Sequence, residues 1–485
     1  MTNQWLSPET VKAWWSSATQ SAINRPYTAE QVVHLRDRFP ENVASNEMAL
    51  KLREILEKHR VNQTVNITTS PLEMSSQQMM AEAGMETVYV SGGLASFTAV
   101  NDPSSDHADY TYDTLPKKVN LLHRAQLLNE RIARVKGNPD AEKFMLPLIA
   151  DADSGFGLYT TVMKLVKLFV QAGVAGFHMD DLFPGCKRFD GKDGEAWTIV
   201  PTCELLKRLT AARLQLDIMG SEAVIIYRAD PHSASRITSS VDARDRPYIL
   251  GATVPLPREY ASLHTSEERA QWKKDAALKC LDDAFKECCP NLYEEFAARS
   301  KGLPISEAQR VALELAPTLY FSCDAARNAS GHYAYRGCIE ASVDRSILAA
   351  DLVEVLWPNA STYDPQQVEG YAKGVHAVLP NKWLGYNITG AFPADKSRDD
   401  EVKVLNTKLA KLGYCWQFMP LAMFTALGVM AKRTAVGLVE GGVYNYLENV
   451  SRPASADKGA DSVEWWYKKP AVLTDTAAEV IGDCL

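Results

Sequence analysis

Acidic side chains that follow short apolar runs are the residues with the clearest chemical potential in this sequence. The runs and the residues that end them are LPLIADAD with Asp151 and Asp153, AGFHMDD with Asp180 and Asp181, and AVIIYRAD with Arg228 and Asp230. Carboxylates gathered at one place repel one another unless a cation joins them, and hard oxygen ligands suit Mg²⁺ or Mn²⁺. An arginine beside them can hold a substrate carboxylate through two parallel hydrogen bonds. The pattern therefore predicts a metal site for a small anionic substrate.

Eight short apolar runs must position these side chains. They lie at 64–70, 87–93, 146–153, 175–181, 223–230, 352–358, 383–390 and 415–422, with helical patterns between them. Eight apolar runs that alternate with helices predict an α/β fold, a (β/α)8 barrel of the TIM type, whose chemistry takes place at the carboxyl ends of the strands. The main alternative, an open doubly wound sheet, needs a glycine-rich phosphate loop, and SGGLAS at 91–96 does not match G-x-G-x-x-G.

The remaining segments extend this barrel. We expect an N-terminal helical segment over 1–60, the first part of the barrel over 61–254, a helical insertion after the fifth strand over 255–345, the last part of the barrel over 346–440, and a C-terminal helical tail over 441–485. The insertion is too long for a plain crossover between strands. Long insertions between barrel units build lids or oligomer contacts.

The composition is that of a soluble globular protein, with 46% hydrophobic residues, 23% charged residues and a formal net charge of −8. No long Lys or Arg run supplies phosphate contacts, so we expect no nucleic acid partner. No stretch approaches the ~20 apolar residues of a membrane span, so we expect no membrane contact. Nine scattered cysteines, of which only Cys288 and Cys289 form a close pair, favour reduced thiols in a cytoplasmic protein. The alternative is a peroxisome or glyoxysome, although the C-terminus has no Ser-Lys-Leu signal.

Seven stretches together resemble the isocitrate lyase family, and the resemblance runs in order from about residue 10 to about residue 440. They are TVYVSGG, DHADYTYDTLPKKVN, LPLIADADSGFG, GFHMDD, YRAD followed by VDARDRPYILGAT, GVHAVLPNKWLGYNITGAF, and QFMPLA. The long insertion looks like that of the eukaryotic branch. The superfamily also includes methylisocitrate lyases, phosphoenolpyruvate mutases and oxaloacetate hydrolases. The resemblance implies a Mg²⁺-dependent carbon–carbon lyase of small carboxylic acids. It also implies a homo-oligomer, with a tetramer expected, in which subunits exchange barrel helices.

The resemblance also implies roles for individual residues. Asp151 matches the direct metal ligand of the family, and Asp153 and Asp180 match acids that hold metal-bound waters. Arg228 matches the arginine that clamps the substrate. The predicted substrate contacts are Ser91, Gly92, Gly93, Asp106, Asn387 and Thr389. With Arg228, the catalytic candidates are Lys187, Arg188 and Asp190, which lie in or beside the loop that carries the catalytic motif in the family.

Several positions depart from the family pattern. The family loop reads Lys-Lys-Cys-Gly-His, and its cysteine protonates the succinate carbanion after cleavage. Here Lys187 and Arg188 are followed by Phe189, Asp190 and Gly191. Elsewhere, the Ser-Pro-Ser that binds the succinate carboxylate is Thr-Gly-Ala at 389–391, a threonine of the eighth strand is Pro420, a tryptophan is Gly93, and a glutamate of the sixth strand is Leu356. The residues that bind the metal and the α-oxo acid in the family are kept here, whereas those that bind and protonate succinate are replaced.

The leading hypothesis is a metal-dependent lyase of a small α-hydroxy or α-oxo carboxylic acid other than isocitrate, with a bulkier or less charged tail that Gly93, Ala391 and Leu356 admit to the pocket. The acid or base that replaces the cysteine could be Asp190, Asp181, Tyr110 or a metal-bound water. An inactive homologue with a regulatory or scaffolding role, or a hydrolase of the same superfamily, is the alternative. Simpler interpretations also exist: a strand-end aspartate can be only a helix N-cap, Arg228 can pair with one aspartate, and His178 is expected to be a buried core histidine.

Overall fold

Eight parallel β-strands form a barrel at the centre of this computed structural model, which describes residues 4–187, 197–360, 363–389, 396–457 and 469–481. The barrel strands are β1 (Asn66–Thr69), β2 (Val88–Val90), β3 (Leu148–Asp151), β4 (Gly176–Asp180), β5 (Val224–Ala229), β6 (Val355–Pro358), β7 (Trp383–Asn387) and β8 (Tyr414–Met419). They pair in the order β1-β8-β7-β6-β5-β4-β3-β2, always in parallel, and β1 contacts β2. Each predicted run overlaps one strand, and the predicted (β/α)8 barrel is confirmed.

Helices cover the outside of the barrel. The main ones are Met74–Glu82, Thr114–Val135, Tyr159–Gln171, Thr202–Met219, Ile339–Ala349, Pro365–Val378 and Leu405–Lys411, with the shorter helices Gly92–Thr98 and Asp399–Lys403, and the long helix Ala422–Tyr446 follows β8. Helix Tyr159–Gln171 shows the sequence pattern behind them, because Val162, Leu165 and Phe169 recur at a spacing of three or four and are fully buried. Residues at this spacing share one helix face, which here packs on the barrel.

Three α-helices precede the barrel in the described part of the chain: Pro8–Trp15, Ala29–Leu35 and Val43–Val61. The third places Leu52 and Leu56 in the same apolar cluster as Tyr89 and Trp416, which are side chains of the barrel interior. This helix therefore closes the end of the barrel at which the strands begin. The opposite end, where the strands terminate, remains available for a site.

Strand side chains alternate between the barrel interior and the surrounding helices, because successive residues of a strand point to opposite faces. On β6, Val355 and Trp357 belong to the interior cluster, whereas Leu356 packs in the cluster shared with the outer helices. The prediction that Leu356 helps to shape the pocket is therefore wrong. Trp357 lines the pocket from this strand instead.

The chain between β5 and helix Ile339–Ala349 forms an elaborate insertion after the fifth strand. Its helices are Ser266–Asp275, Leu281–Cys288, Tyr293–Ser300 and Ile305–Leu315. The last three of these helices enclose an apolar cluster around the stacked rings of Phe285 and Phe296, and this cluster also contains Leu182 and Trp197. The insertion thus supports the two segments on either side of residues 188–196. The exact domain boundaries remain a prediction.

The long helix after β8 contradicts one expectation. Helix Ala422–Tyr446 and its continuation to Ala456 comprise 35 residues that are long and apolar enough, by length and composition alone, to cross a membrane. The expectation that no stretch approaches a membrane span is therefore wrong for this segment. Almost none of its most apolar part is buried, and Val439 and Val443 are 88% and 69% exposed. Because apolar surface of this extent is unfavourable in water, the helix needs a partner that covers it.

Candidate active site

The carboxyl ends of the barrel strands surround a cavity of about 360 Å³. Eight of the predicted metal, substrate and catalytic residues line it: Ser91, Gly93, Asp106, Asp151, Lys187, Arg228, Asn387 and Thr389. Three others, Gly92, Asp153 and Asp180, are buried behind this lining and lie against Asp151 or Arg228. The predicted metal and substrate residues are therefore close together in space.

Asp151 lies at the centre of the acidic group, at the end of β3. One carboxylate oxygen accepts the Asp153 backbone N–H at 2.8 Å, and the other accepts the Gly92 backbone N–H at 3.1 Å. His178 is fully buried, as expected, with Nε2 2.8 Å from the Tyr89 hydroxyl and 3.3 Å from Asp151. Burial, reinforced by the charge of Asp153, raises the pKa of Asp151 to about 7. The ionised carboxylate is therefore costly at this position unless a cation accompanies it.

Asp153 connects the acidic group to the segment that precedes residues 188–196. Its φ of 43° lies in the left-handed region, where a residue other than glycine is strained, as often occurs at functional sites. The Lys187 ammonium lies 3.2 Å from Asp153 and 2.9 Å from Asp106, and the Tyr110 hydroxyl donates to Asp153. Burial alone would lower the pKa of Lys187, but Asp106 and Asp153 raise it, so this side chain remains charged.

Asp180, at the end of β4, carries an unsatisfied oxygen. Its Oδ1 accepts the Leu182 backbone N–H at 3.1 Å, whereas its fully buried Oδ2 has no hydrogen-bond partner and lies 3.9 Å from an Arg228 nitrogen. A buried carboxylate oxygen without a donor costs free energy. A metal ion or a metal-bound water at this position would satisfy it.

The group of charged side chains fits a divalent cation. Five carboxylates (Asp106, Asp151, Asp153, Asp180 and Asp230) surround two cationic side chains (Lys187 and Arg228). Among the described residues, no three Asp, Glu, His or Cys side chains converge as a complete cage of protein ligands. Mg²⁺ does not require one, because it usually binds one or two carboxylates and keeps several waters. Asp151 would hold the ion directly, and Asp153 and Asp180 would hold its waters.

Arg228 is held rigidly at the pocket wall. Its guanidinium donates two hydrogen bonds to Asp230, at 3.1 and 3.2 Å, and lies 5.2 and 5.4 Å from the ring centres of Trp197 and Trp357. Two aromatic faces and one carboxylate fix the plane of the guanidinium, and cation–π attraction favours this arrangement. Arg228 is therefore both paired with an aspartate and presented to the pocket, so the two interpretations of the sequence are compatible.

The amide of Asn387 is fully engaged with the protein. Its oxygen accepts hydrogen bonds from Trp357 Nε1 and the Ala360 backbone, and its nitrogen donates to the Ala360 carbonyl and the Thr389 hydroxyl. Asn359 also lines the pocket and donates to Asp230 at 2.9 Å. Asn359 is not among the residues predicted from the sequence, although its place directly after the sixth apolar run is a signal that indicates it.

Two glycines after β2 leave room for polar neighbours. A Cβ atom at Gly92 would lie 2.3 Å from the Tyr110 hydroxyl and 2.7 Å from an Asp151 oxygen, and one at Gly93 would lie 3.0 Å from Asp106. Any side chain at Gly92 would collide with the acidic group. The tryptophan that the family has in place of Gly93 would require Asp106 to move, so Gly93 and the present position of Asp106 belong together.

The β8 side of the pocket is apolar. Phe418, Pro420 and Leu421 line it there, together with Phe97 from the helix after β2. In the strand order, β8 is four positions from β4, so its end faces the acidic side across the mouth of the barrel. The pocket therefore combines a strongly charged wall with an apolar wall.

Asp181 does not belong to this pocket. Its carboxylate accepts hydrogen bonds from Arg345 at 2.8 Å and from the Tyr227 hydroxyl at 3.0 Å, and Tyr227 packs in the cluster between the barrel and its outer helices. Adjacent strand residues point to opposite faces, so Asp180 and Asp181 cannot both reach the barrel mouth. We therefore withdraw Asp181 as a candidate acid or base and assign it a structural ion pair.

We expect Tyr227→Phe to lower the free energy of unfolding by about 1–3 kcal/mol, because it removes one donor from the buried Asp181 carboxylate. Tyr159→Phe removes a hydroxyl from a tyrosine that is 59% exposed and serves as the matched control. Urea unfolding of the three proteins measures the effect. Equal stability of all three would show that Asp181 does not depend on this hydrogen bond.

Arg188 and Asp190, two of the four catalytic candidates, lie outside the described residues, as do Phe189 and Gly191. The described chain stops at Lys187 and resumes at Trp197, and both residues lie beside the pocket because Lys187 lines it and Trp197 packs on Arg228. The roles of Arg188 and Asp190 remain predictions.

Comparison with known proteins gives consistent similarities. The sequence model of the isocitrate lyase family matches residues 7–482 of this chain. The mitochondrial 2-methylisocitrate lyase of Schizosaccharomyces pombe is 35% identical over 472 residues, which cover 92% of this chain and 90% of that protein. The isocitrate lyase of Oryza sativa subsp. japonica is 34% identical over 483 residues, which cover 91% and 84%. The crystal structure of a 2,3-dimethylmalate lyase aligns with a TM-score of 0.49 at 15% identity, covering 89% of this chain and 98% of that one.

Proposed function

Because the chain belongs to the isocitrate lyase family, a family of carbon–carbon lyases, we propose that it is a Mg²⁺-dependent lyase of a small α-hydroxy or α-oxo carboxylic acid other than isocitrate. The observation that carries the proposal is the pocket itself. Its acidic side keeps Asp151, Asp153 and Asp180 with Arg228, and its β8 side is apolar. The first feature supports family chemistry, and the second supports a different substrate tail.

Each polar residue has a proposed task in cleavage of the bond beside the hydroxyl-bearing carbon. Arg228 binds the carboxylate next to that carbon, because its fixed guanidinium suits a planar anion. Ser91 and Gly92 bind the α-oxo acid that forms. Lys187 holds Asp106 and Asp153 together despite their like charges. When bound, Mg²⁺ or Mn²⁺ supplies a Lewis acid that stabilises developing negative charge on oxygen.

The proton that the family's cysteine would deliver needs another source. Burial and the charge of Asp153 raise the pKa of Tyr110 well above its usual range, so its hydroxyl is protonated at neutral pH. It is engaged with Asp153, at the edge of the acidic group. Asp190, two residues after Arg188, is the other proposed carrier. Of the four groups considered as a replacement for the cysteine, Asp181 is excluded by its structural ion pair, and Tyr110, Asp190 and a metal-bound water remain.

The proposed substrate is a 2-hydroxy diacid that carries an alkyl group where isocitrate carries its carboxymethyl arm, that is, a 3-alkylmalate. Phe418, Pro420 and Leu421 offer no hydrogen-bond donors from their side chains. An alkyl chain placed against them gains roughly 25 cal/mol for each Å² of apolar area that it buries. A carboxylate placed there would lose its hydration without compensation.

The test is an assay of purified protein with isocitrate, 2-methylisocitrate and 3-propylmalate, each with Mg²⁺ and with excess chelator. We expect 3-propylmalate to be cleaved fastest, and only with the metal. Faster cleavage of a tricarboxylate would overturn the apolar-tail assignment and leave the lyase assignment intact. If no α-hydroxy acid is cleaved, the inactive-homologue alternative replaces our proposal.

We further propose a homotetramer in which a second copy covers the exposed helix Ala422–Tyr446. Sedimentation should give a mass of about four chains of 53.6 kDa. Val439→Asp should dissociate the tetramer, because an unpaired charge in an apolar interface is costly. Val241→Asp, at another exposed valine (67%) outside this helix, is the control.

Two results would contradict this assembly. A monomeric wild type would refute it, and a tetrameric Val439→Asp variant would place the interface elsewhere. A wild type that sediments with added lipid vesicles would instead assign the helix to a membrane.

For the cellular location, we propose the cytoplasm. The alternative is the mitochondrion, which is the location in the name of the fission yeast relative. Imaging of the tagged full-length chain would distinguish the two.

A further inference from the structure

Two adjacent cysteines of the insertion form a compact dithiol, distant in sequence from every residue assigned to the active site. Cys288 ends helix Leu281–Cys288, and Cys289 follows it. Their sulfur atoms are 3.6 Å apart, Cys288 is exposed, and Cys289 is partly exposed. Both thiols are therefore accessible to a small reagent at the same time.

The distance between the sulfurs suits chelation better than oxidation. Two thiolates that bind one tetrahedral ion at about 2.3 Å have sulfurs roughly 3.8 Å apart. A disulfide requires about 2.05 Å, so closing one here would require the sulfurs to approach by roughly 1.5 Å within a single strained ring. The present geometry needs only a few tenths of an ångström to bind a shared ion.

The surrounding structure holds the pair in place. The Cys289 N–H donates to the Phe285 carbonyl at 2.8 Å, and the Cys289 carbonyl accepts the Leu292 N–H at 3.1 Å. Phe285 is fully buried and stacks on Phe296 in the core of the insertion. A backbone fixed on both sides reduces the entropy lost when both sulfurs bind one centre.

The protonation of the pair points to the same class of ligand. The hydrogen bond from Cys289 to Cys288, together with partial burial, raises the pKa of the Cys289 thiol. A thiol with a raised pKa is a poor nucleophile toward peroxides, because the thiolate is the reactive form. A soft metal or metalloid can still bind, since sulfur–metal bonds displace the thiol protons.

We propose that Cys288 and Cys289 form a vicinal dithiol site for a soft, thiophilic metal or metalloid, and that both sulfurs bind one centre. With phenylarsine oxide as the probe, two arsenic–sulfur bonds form and the arsenic–oxygen double bond breaks. The two thiol protons leave with that oxygen as one molecule of water. Arsenic keeps its oxidation state, so the reaction needs no oxidant or reductant.

The experiment treats the full chain with phenylarsine oxide, adds excess monothiol, and measures the retained arsenical by intact mass. We expect the wild type to retain one phenylarsenic group that only a dithiol removes. Cys288→Ser and Cys289→Ser should each bind at least about 10²-fold more weakly, because the second bond is then no longer intramolecular. Circular dichroism verifies that the variants are folded.

Cys338→Ser and Cys203→Ser are the matched controls, because both residues are partly exposed single cysteines. Cys338 also lies near enough to Cys280 to raise the pKa of the Cys280 thiol. Unchanged retention by Cys338→Ser would therefore show that Cys280 and Cys338 do not bind the arsenical together. Unchanged retention in the two controls supports the assignment. Retention by Cys288→Ser as strong as that of the wild type, or release of arsenic from the wild type by monothiol alone, would overturn it.

Discussion

Purified protein with Mg²⁺ should release glyoxylate from isocitrate roughly 10²–10⁴-fold more slowly than an ordinary isocitrate lyase. General acid catalysis contributes a factor of that size, and the cysteine that supplies it in the family is replaced by Phe189 here. Phenylalanine has no proton to donate, and Gly191 cannot replace the family's histidine. This is the largest effect that we expect from the departures in the sequence.

The apolar β8 side adds a binding deficit to this chemical one. Pro420 replaces a threonine and Thr-Gly-Ala at 389–391 replaces Ser-Pro-Ser, so several hydrogen bonds to the distal carboxylate are lost. Each costs about 1–3 kcal/mol if its partner is left buried and unpaired. The two deficits need not add, since residues that act as a unit are not additive.

A coupled assay for glyoxylate, with an ordinary isocitrate lyase measured in parallel, tests this prediction. A restoring variant makes the test sharper: Phe189→Cys should raise isocitrate cleavage if the missing acid is the main deficit, whereas Phe189→Ala, the control, should not. Turnover by the wild type within tenfold of the parallel enzyme would show that another group, such as Asp190, serves as the acid for isocitrate.

Asp151→Ala should abolish metal binding and reduce turnover of the true substrate by roughly 10³-fold or more. Removing a residue that only supports a metal ligand typically costs 10–100-fold in affinity, so loss of the direct ligand should cost at least about 100-fold. The Lewis acid contributes several kcal/mol to the transition state, and each 1.36 kcal/mol is tenfold in rate. We make this prediction for Asp151 because two backbone hydrogen bonds fix its carboxylate at the centre of the acidic group.

Titration calorimetry and thermal unfolding measure the loss without knowledge of the substrate. At a Mg²⁺ concentration of 100 times Kd, the wild type should gain about 2.7 kcal/mol of stability, and Asp151→Ala should gain almost none. Asp102→Ala removes an exposed carboxylate from the loop near the pocket and is the control. If Asp151→Ala binds Mg²⁺ as tightly as the wild type, the metal site has been placed on the wrong residues.

The sequence by itself determined the barrel and the membership of its acidic group. Parallel strands buried on both faces must be continuous apolar runs, so eight such runs were recognisable without any tertiary information. The residues that end them, such as Asp151 and Arg228, necessarily meet at one rim, because parallel strands end at the same side of a barrel. The fold class and the position of the acidic group therefore follow from local patterns and one general rule.

Only the tertiary structure decided which side chain at each strand end faces the mouth. Side chains alternate with a period of two, so an assignment that is wrong by one residue reverses the face. For this reason the sequence pattern alone does not distinguish Leu356 from Trp357 as the residue that faces the pocket, or Asp181 from Asp180. Arg345, which donates a hydrogen bond to the Asp181 carboxylate and holds it away from the pocket, is 164 residues away in the chain.

The same limit applies to residues that the structure shows to be satisfied or exposed. Asn387 has the composition of a free amide donor, but its neighbours Trp357 and Ala360 occupy its hydrogen-bonding groups. Helix Ala422–Tyr446 resembles an ordinary covering helix of the barrel, yet its apolar residues lie outside the core. Whether a side chain is buried or has all its hydrogen bonds made depends on contacts between segments that are distant in the chain. Short-range sequence patterns do not contain that information.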